Sequence, residues 1–295
     1  MSATDAPAAF RHAAERPGPI ALIREAYADI LSRRRLVGYL VQADMKRKGA
    51  DTLLGNLWWV MDPLLQMIVY VLFVSIIRGG SETPADYPLF ILSAILPWKW
   101  FTASIQDATT SVVSQERLIK QIQFPKIVLP VAATTAGIVG FAFGLIALGL
   151  IMLFFIDRIS LYLLLIPVIA AVQYVFTLAI AFAVAGINVF FRDLGNVLRH
   201  FLRLWFYLSP GLYSLSFLDD VQILTEYPIL RDLIGANPFA ILFEAYRAVI
   251  YGDPAGGPLQ PQWLSLGVLL LGSVVLLALT TVLFKRLEPS FAKVL

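Results

Sequence analysis

The sequence predicts an all-α integral membrane protein. Of its 295 residues, 59% are hydrophobic and 15% charged, and the mean hydropathy is +0.76. The apolar residues gather into runs of about 20, the helix length that crosses a ~30 Å hydrocarbon core. A soluble core needs less apolar surface than this composition supplies. The chain contains no cysteine, which excludes disulfides, thiolate metal sites and cysteine nucleophiles.

Taken in order, residues 1–19 are rich in Ala and Pro, carry both signs of charge and lack the apolar core of a cleaved signal peptide. They are expected to form a disordered cytoplasmic tail. Residues 20–41 set Ile23, Tyr27, Ile30 and Leu31 at helical spacing against Arg24, Glu25, Asp29 and the cluster Arg33, Arg34, Arg35. That pattern predicts an amphipathic helix lying in the membrane interface, within an interfacial region spanning 20–50. Lys46, Arg47 and Lys48 then lead into a Leu54-Gly55 corner and the pair Trp58, Trp59. A polybasic flank followed by paired Trp residues marks a cytoplasmic membrane surface.

The body, 51–295, holds six apolar segments expected to span: 58–77, 87–113, 127–156, 161–190, 198–217 and 263–284. Nine of the Lys and Arg residues precede the first segment. Three more lie at Arg117, Lys120 and Lys126, three at Arg192, Arg199 and Arg203, and three at Lys285, Arg286 and Lys293. With 18 of 23 basic residues on one side, the positive-inside rule makes that side cytoplasmic and puts both termini there. Between the last two segments, 221–234 and 238–251 are apolar but too short to cross, and are expected to fold back as re-entrant helices from the outer side.

The absent motifs narrow the chemistry. His12 and His200, the only histidines, have no clustered carboxylates, so neither a metal centre nor a His-based triad is supported. No Gly-Lys pair occurs, so there is no phosphate-binding P-loop, and any ATP that drives the protein is bound by another chain. Few carboxylates fall at membrane depth, which weighs against an ion-coupled secondary transporter. The loop Gln115, Glu116, Arg117, Leu118, Ile119, Lys120, Gln121 forms a short amphipathic turn ended by Pro125. It can dock a soluble partner, or serve only as a solvated connector. Lys99 sits about 18 Å inward from Tyr87 by helical rise. A lipid-facing ammonium there would be penalised by ~2.5 kcal/mol or more, so it is expected to face protein or a water-filled path, unless it snorkels to the outer surface.

An ordered series of short motifs resembles a known family. It runs Leu54-Gly55-Asn56-Leu57-Trp58-Trp59 with Pro63-Leu64, Asp86-Tyr87-Pro88-Leu89-Phe90 with Pro97-Trp98, and Leu118-Ile119-Lys120 with Phe124-Pro125 and Leu129-Pro130. It continues through Arg192-Asp193, Ser209-Pro210, Asn237-Pro238-Phe239 and Tyr246-Arg247. Over 44–284 the chain resembles the membrane subunits of ABC exporters for polysaccharides and polyol phosphates, of the Wzm and TarG type, which export O-antigen, teichoic acid or galactan on a polyprenyl carrier. It departs from the usual pattern at Ala43-Asp44, Lys48 and Lys99.

The resemblance implies a homodimer in the bacterial inner (plasma) membrane with two copies of a separate cytoplasmic ATPase that binds Mg-ATP. This chain itself would carry no cofactor, no catalytic residue and no nucleic-acid partner. Residues 115–121 would be the coupling helix, the interfacial helix a cytoplasmic gate for the lipid-linked substrate, and the re-entrant pair the closure of the exit. Such a substrate needs a channel, because each unpaired sugar hydroxyl in hydrocarbon costs about 1–3 kcal/mol, whereas the polyprenyl tail favours lipid by roughly 0.8 kcal/mol per CH₂.

Flat rings suit the apolar faces of sugars. Trp58, Trp59, Tyr70, Trp98, Trp100, Phe101, Trp205, Phe206 and Tyr207, with Lys99, are channel candidates, and interfacial anchoring is the competing role for the rings. Arg33, Arg34, Arg35, Lys46, Arg47 and Lys48 could bind the carrier pyrophosphate or simply set topology and attract anionic lipid. An exporter of a small lipid or drug, and a secondary transporter, are the other classes considered.

Overall fold

The computed structural model describes residues 17–49, 53–77, 84–214, 228–253 and 256–295. Residues 1–16 of the tail expected at 1–19, and the parts of the expected spans and re-entrant pair that fall at 215–227, lie outside the described residues. Within them the chain is helical. An isolated bridge between Asp253 and Gly257 is the sole β pairing among the described residues.

The amphipathic stretch is divided at Arg33 into α1 (Pro19–Ser32) and α2 (Arg34–Gly49). Hydrophobic α3 (Trp58–Ile77) follows a left-handed corner at Gly55, where φ is 51°. Glycine tolerates that conformation because it has no Cβ. Next come α4 (Tyr87–Ser111), the six-residue α5 (Glu116–Gln121), α6 (Val128–Met152) and α7 (Ile166–Asn188). The remaining helices are α8 (Leu194–Leu208), α9 (Pro228–Gly235), α10 (Pro238–Ile250) and α11 (Trp263–Val294). Pro88, Pro167 and Pro238 stand in the first turns of α4, α7 and α10, where a missing N–H is harmless.

Among the described residues, five helices are long and apolar enough to cross a membrane: α3, α4, α6, α7 with its leading turn, and α11. This is an all-α, multi-pass membrane protein. The segment expected at 198–217 does not form one long helix. Its helix, α8, has 15 residues, about 22 Å of rise, and stops at Ser209-Pro210-Gly211.

The bundle is built around α4, the most enclosed of the five. It packs on α3, α6, α7, α8 and α10, while α11 lies along α7. Gln173 of α7 donates a 2.8 Å hydrogen bond to the Pro97 carbonyl of α4, satisfying a buried polar group inside the bundle. Two apolar cores result. One surrounds Trp98, Phe101, Phe239, Phe243 and Tyr246. The other gathers Ala26, Val112, Ile119, Phe124, Phe182, Phe284 and Phe291, and marks the end where α1, α5 and the last turns of α7 and α11 meet. We call this the basic end, since Arg117, Lys126, Arg192 and Lys285 all sit there, and the opposite one the far end.

After α8 the chain keeps rising beside α4. Gly195 lies against Thr109, Phe206 lies against Trp98, and Tyr87 at the far end donates to the Leu212 carbonyl at 2.8 Å. The chain then returns inward. Asn237, before α10, meets Trp205 at 3.1 Å, and Phe239 packs on Trp98 with ring centroids 4.7 Å apart. From there α10 climbs to Tyr251, which meets Phe90 at the far end. The 238–251 segment therefore runs from the level of Trp98 back out to the far end, the outward half of the path expected of a re-entrant helix.

Candidate functional site

α2 stands alongside the first half of α6 and brings its basic C-terminal turn up to α4. There Lys48 Nζ donates to Asp107 Oδ2 at 2.6 Å and lies 2.8 Å from Asp44 Oδ2, while Arg47 pairs with Asp44 at 2.6 Å. Burial pushes the Lys48 ammonium down, but the Asp107 and Asp44 carboxylates outweigh it and leave its pKa above the ordinary value. Higher on α4, Lys99 pairs with Asp62 of α3 and donates to Gln66 Oε1 at 3.1 Å. The mid-helix ammonium thus faces protein and has a carboxylate partner.

Between these pairs lies a cavity of about 290 Å³, walled by Trp59, Trp100 and Phe141 and floored by Gly137, Gly140 and Gly144 of α6. A second cavity of about 160 Å³ shares Asp44 and Asp107 with it and reaches Ser114 and Gln115 at the basic end. The glycines differ in role. A Cβ on Gly137 would stand 2.1 Å from Ser104 Oγ, and one on Gly144 2.7 Å from Leu96, so these two let α6 approach α4 closely. A Cβ on Gly140 would meet nothing within 4 Å. The i, i+3, i+7 spacing of these glycines is visible in the sequence and could have pointed to this face.

The channel candidates divide by environment. Trp98, Trp100 and Phe101 are buried, at 7%, 3% and 0% exposure. Trp98 and Phe101 sit in a continuous aromatic stack with Trp205, Phe206 and Phe239, and Trp100 stacks on Phe141 at 4.9 Å. Trp58 and Tyr207 are exposed. Trp59 lines the cavity and meets Phe143 edge-on, and Tyr70 lies beside Phe206.

At the basic end, Gln115 through Gln121 form the turn and helix α5. Ile119 is buried beneath it, while Arg117, Lys120 and Gln121 are exposed and Gln115, Glu116 and Leu118 half-buried. Lys120 bonds Glu116 at 2.6 Å, holding that carboxyl below the usual range, and donates to the Leu295 carbonyl at 2.7 Å. Arg33, Arg34, Arg35, Lys46 and Arg47 are exposed. Only Lys48 of the basic candidates reaches the cavity between the ion pairs.

Three clusters were missed by sequence reading, because their members are far apart along the chain. Lys285 of α11, 6% exposed, meets Asp29 at 2.8 Å and Glu25 and Glu288 at 3.0 Å. Arg158 pairs with Asp86 at 2.6 Å and donates to the carbonyls of Tyr251 and Asp253 at the far end. Arg247 of α10 pairs with Glu244 at 2.7 Å, donates to the Pro210 and Gly211 carbonyls at 2.9 and 3.3 Å, and lies 3.7 Å over the Phe90 ring. No metal-holding group of His, Cys, Asp and Glu occurs among the described residues.

The described residues thus form a multi-pass helical bundle with a basic end and polar cavities between its helices, and its relatives give that bundle a class, membrane permeases of export systems. The chain is 30% identical over 276 residues to the O-antigen export system permease protein RfbA of Myxococcus xanthus, covering 93% of this chain and 99% of the relative. Two proteins of the same description from Klebsiella pneumoniae are 27% and 26% identical, each covering 88% of this chain and 95% of the relative. No protein-family model matches. The chain belongs to the family of O-antigen export system permeases.

Proposed function

We propose that this chain is the membrane-spanning subunit of an ATP-driven exporter that carries a polyprenyl-linked polysaccharide or polyol phosphate from the cytoplasmic to the outer side of the plasma membrane. The observation that carries this reading is similarity along nearly the whole chain to permeases of O-antigen export systems. The working unit is a homodimer with two copies of a separate cytoplasmic ATPase, which binds Mg-ATP. The basic end is the cytoplasmic end, in keeping with the positive-inside rule.

In this reading α5 is the coupling helix. It is short and set on the apolar residue Ile119 over the basic-end core, with its charged residues outward. A push on α5 passes into the last turns of α11 through the Lys120–Leu295 contact and through Glu288, which accepts from the Lys126 backbone N–H. From α11 it reaches α1 through Lys285. ATP hydrolysis in the partner would then shift the amphipathic helices at the membrane surface, where a lipid-linked substrate arrives. The polyprenyl tail stays in lipid, at roughly 0.8 kcal/mol per CH₂, while the glycan takes a protein-lined path.

The test separates the subunits. Purified alone, the chain is expected to hydrolyse no ATP. In the assembled exporter, Glu116→Lys with Arg117→Glu should leave ATPase activity present while export falls by about tenfold or more. ATP hydrolysis by the isolated chain would contradict the proposal.

A further inference from the structure

The cavity between α2, α3, α4 and α6 lies inside one protomer, and its lining fits a particular chemistry. Its aromatic wall is Trp59, Trp100 and Phe141, and its polar groups include Lys48, Lys99, Asp62, Asp107 and Gln106. A flat ring covers the apolar face of a ligand, while ammonium, amide and carboxylate groups side by side can both donate and accept.

Charge decides against an anion. Lys99 is paired with Asp62, Lys48 with Asp107 and Asp44, and Arg47 with Asp44. The cationic and anionic groups facing the two joined cavities balance, so a phosphate would gain no net positive charge and would sit among three carboxylates. Charge also decides against an acyl chain, which would strip water from ion pairs and give them no partner in return. Trp100 contributes its ring to the wall, while its buried indole N–H lies against Gly137 beneath the cavity floor.

We infer that this cavity is a binding site for an uncharged glycosyl unit of the transported chain, one site in each protomer. The inference rests on the export reading above. Its volume, about 290 Å³, lies at the small end of the roughly 300–1,000 Å³ typical of small-molecule pockets, enough for one or two sugar rings and not for a folded glycan. Sugar hydroxyls would accept from Lys99 and Gln106 and donate to Asp62 and Asp107, with a ring face on Trp59. The adjoining cavity toward Gln115 supplies the approach from the basic end, across the Lys48 tie between Asp44 and Asp107.

Gly140 provides the test, because a side chain there enters the cavity without meeting any atom at its Cβ. Cells depleted of this chain are extracted for the lipid-linked glycan that accumulates. The full chain carrying Gly140→Cys, its single cysteine, is placed with its ATPase in nanodiscs and labelled with a neutral water-soluble maleimide. The extract is expected to slow labelling by about tenfold, as for a site nine-tenths occupied, while inorganic pyrophosphate and a bare polyprenol do not.

In cells, Gly140→Trp should cut export by about tenfold at unchanged membrane level. Gly149→Trp, at an exposed α6 position outside the cavity, should leave export unchanged. If no lipid-linked glycan accumulates, the export reading fails and takes this inference with it. If the glycan accumulates but neither protects Gly140→Cys nor depends on an unfilled cavity, the site alone is overturned. Protection by pyrophosphate or by polyprenol alone would instead assign the cavity to the carrier and also overturn the sugar site.

Discussion

Lys285 shows how much one side chain can organise. It is 6% exposed, and its carboxylates come from α1 and from the next turn of its own helix. Asp29 and Glu288, at 24% and 10% side-chain exposure, carry most of the interaction, while Glu25 is too exposed to add much. Removing the ammonium leaves Glu288 and the partly exposed Asp29 facing one another without a cation, a loss of up to about 3 kcal/mol, the low end for broken buried pairs. Lys285→Met is therefore expected to lower the thermal unfolding midpoint and to expose α1 to protease, and Lys285→Arg to restore most of both. An unchanged midpoint in the Met variant would show that α1 is held by its apolar contacts alone. None of this was legible in the sequence, where Lys285 counted only as one of the basic residues that set orientation. Lys99 was legible in part: its depth demanded a protein or water environment, but its partner Asp62 lies on another helix, and residue spacing says nothing about which helices touch.

At the scale of elements, periodicity and hydropathy located the long helices closely, because a span must be both apolar and about 20 residues long. They were less informative where side chains complete the backbone. The 198–217 stretch reads as a span by composition, yet α8 ends at Leu208. The turn that follows is held by Asn237, whose Oδ1 accepts from the Trp205 indole at 3.1 Å and the Phe239 N–H at 3.0 Å, while its Nδ2 donates to Ser209 at 2.8 Å. Asn237→Ala removes a helix N-cap worth about 1 kcal/mol and two side-chain bonds of about 1 kcal/mol each. Faster amide exchange over the first turn of α10 and a red-shifted Trp emission are expected. Asn237→Asp keeps both acceptor contacts and should show a smaller change. Equal exchange in wild type and Ala variant would mean that the aromatic stack alone fixes the dip. The division of the amphipathic stretch at Arg33 was also unmarked, since neither Gly nor Pro stands at the break.

For the whole molecule, the distribution of basic residues along the chain separates two ends, and Lys285, Lys120 and Lys126 meet at the one where α1, α5 and the last turns of α11 come together. The topology proposed from it is directly testable in a chain without cysteine. Single cysteines at Gln123, on the basic-end loop, and at Asp157, an exposed far-end position, should react with a membrane-impermeant thiol reagent from opposite sides. In intact spheroplasts Asp157→Cys is expected to label and Gln123→Cys to label only after lysis. The reverse pattern would invert the proposed direction of transport, and labelling of both from one side would contradict the separation of the ends.

The turn after α8 has a further consequence for how the chain enters its membrane. The carbonyls of Pro210 and Gly211 are taken up by Arg247, and that of Leu212 by Tyr87, so three successive carbonyls of this stretch accept from side chains of two other helices. Hydrocarbon does not tolerate open peptide groups. A segment whose peptide groups wait for an arginine made much later in synthesis cannot be released into lipid as it emerges. Such a segment is expected to stay in a wet or protein-lined setting until α10 is complete. Arg247→Ala is therefore expected to lower the amount of folded protein recovered from the membrane, a loss that a yield measurement would register ahead of any transport assay.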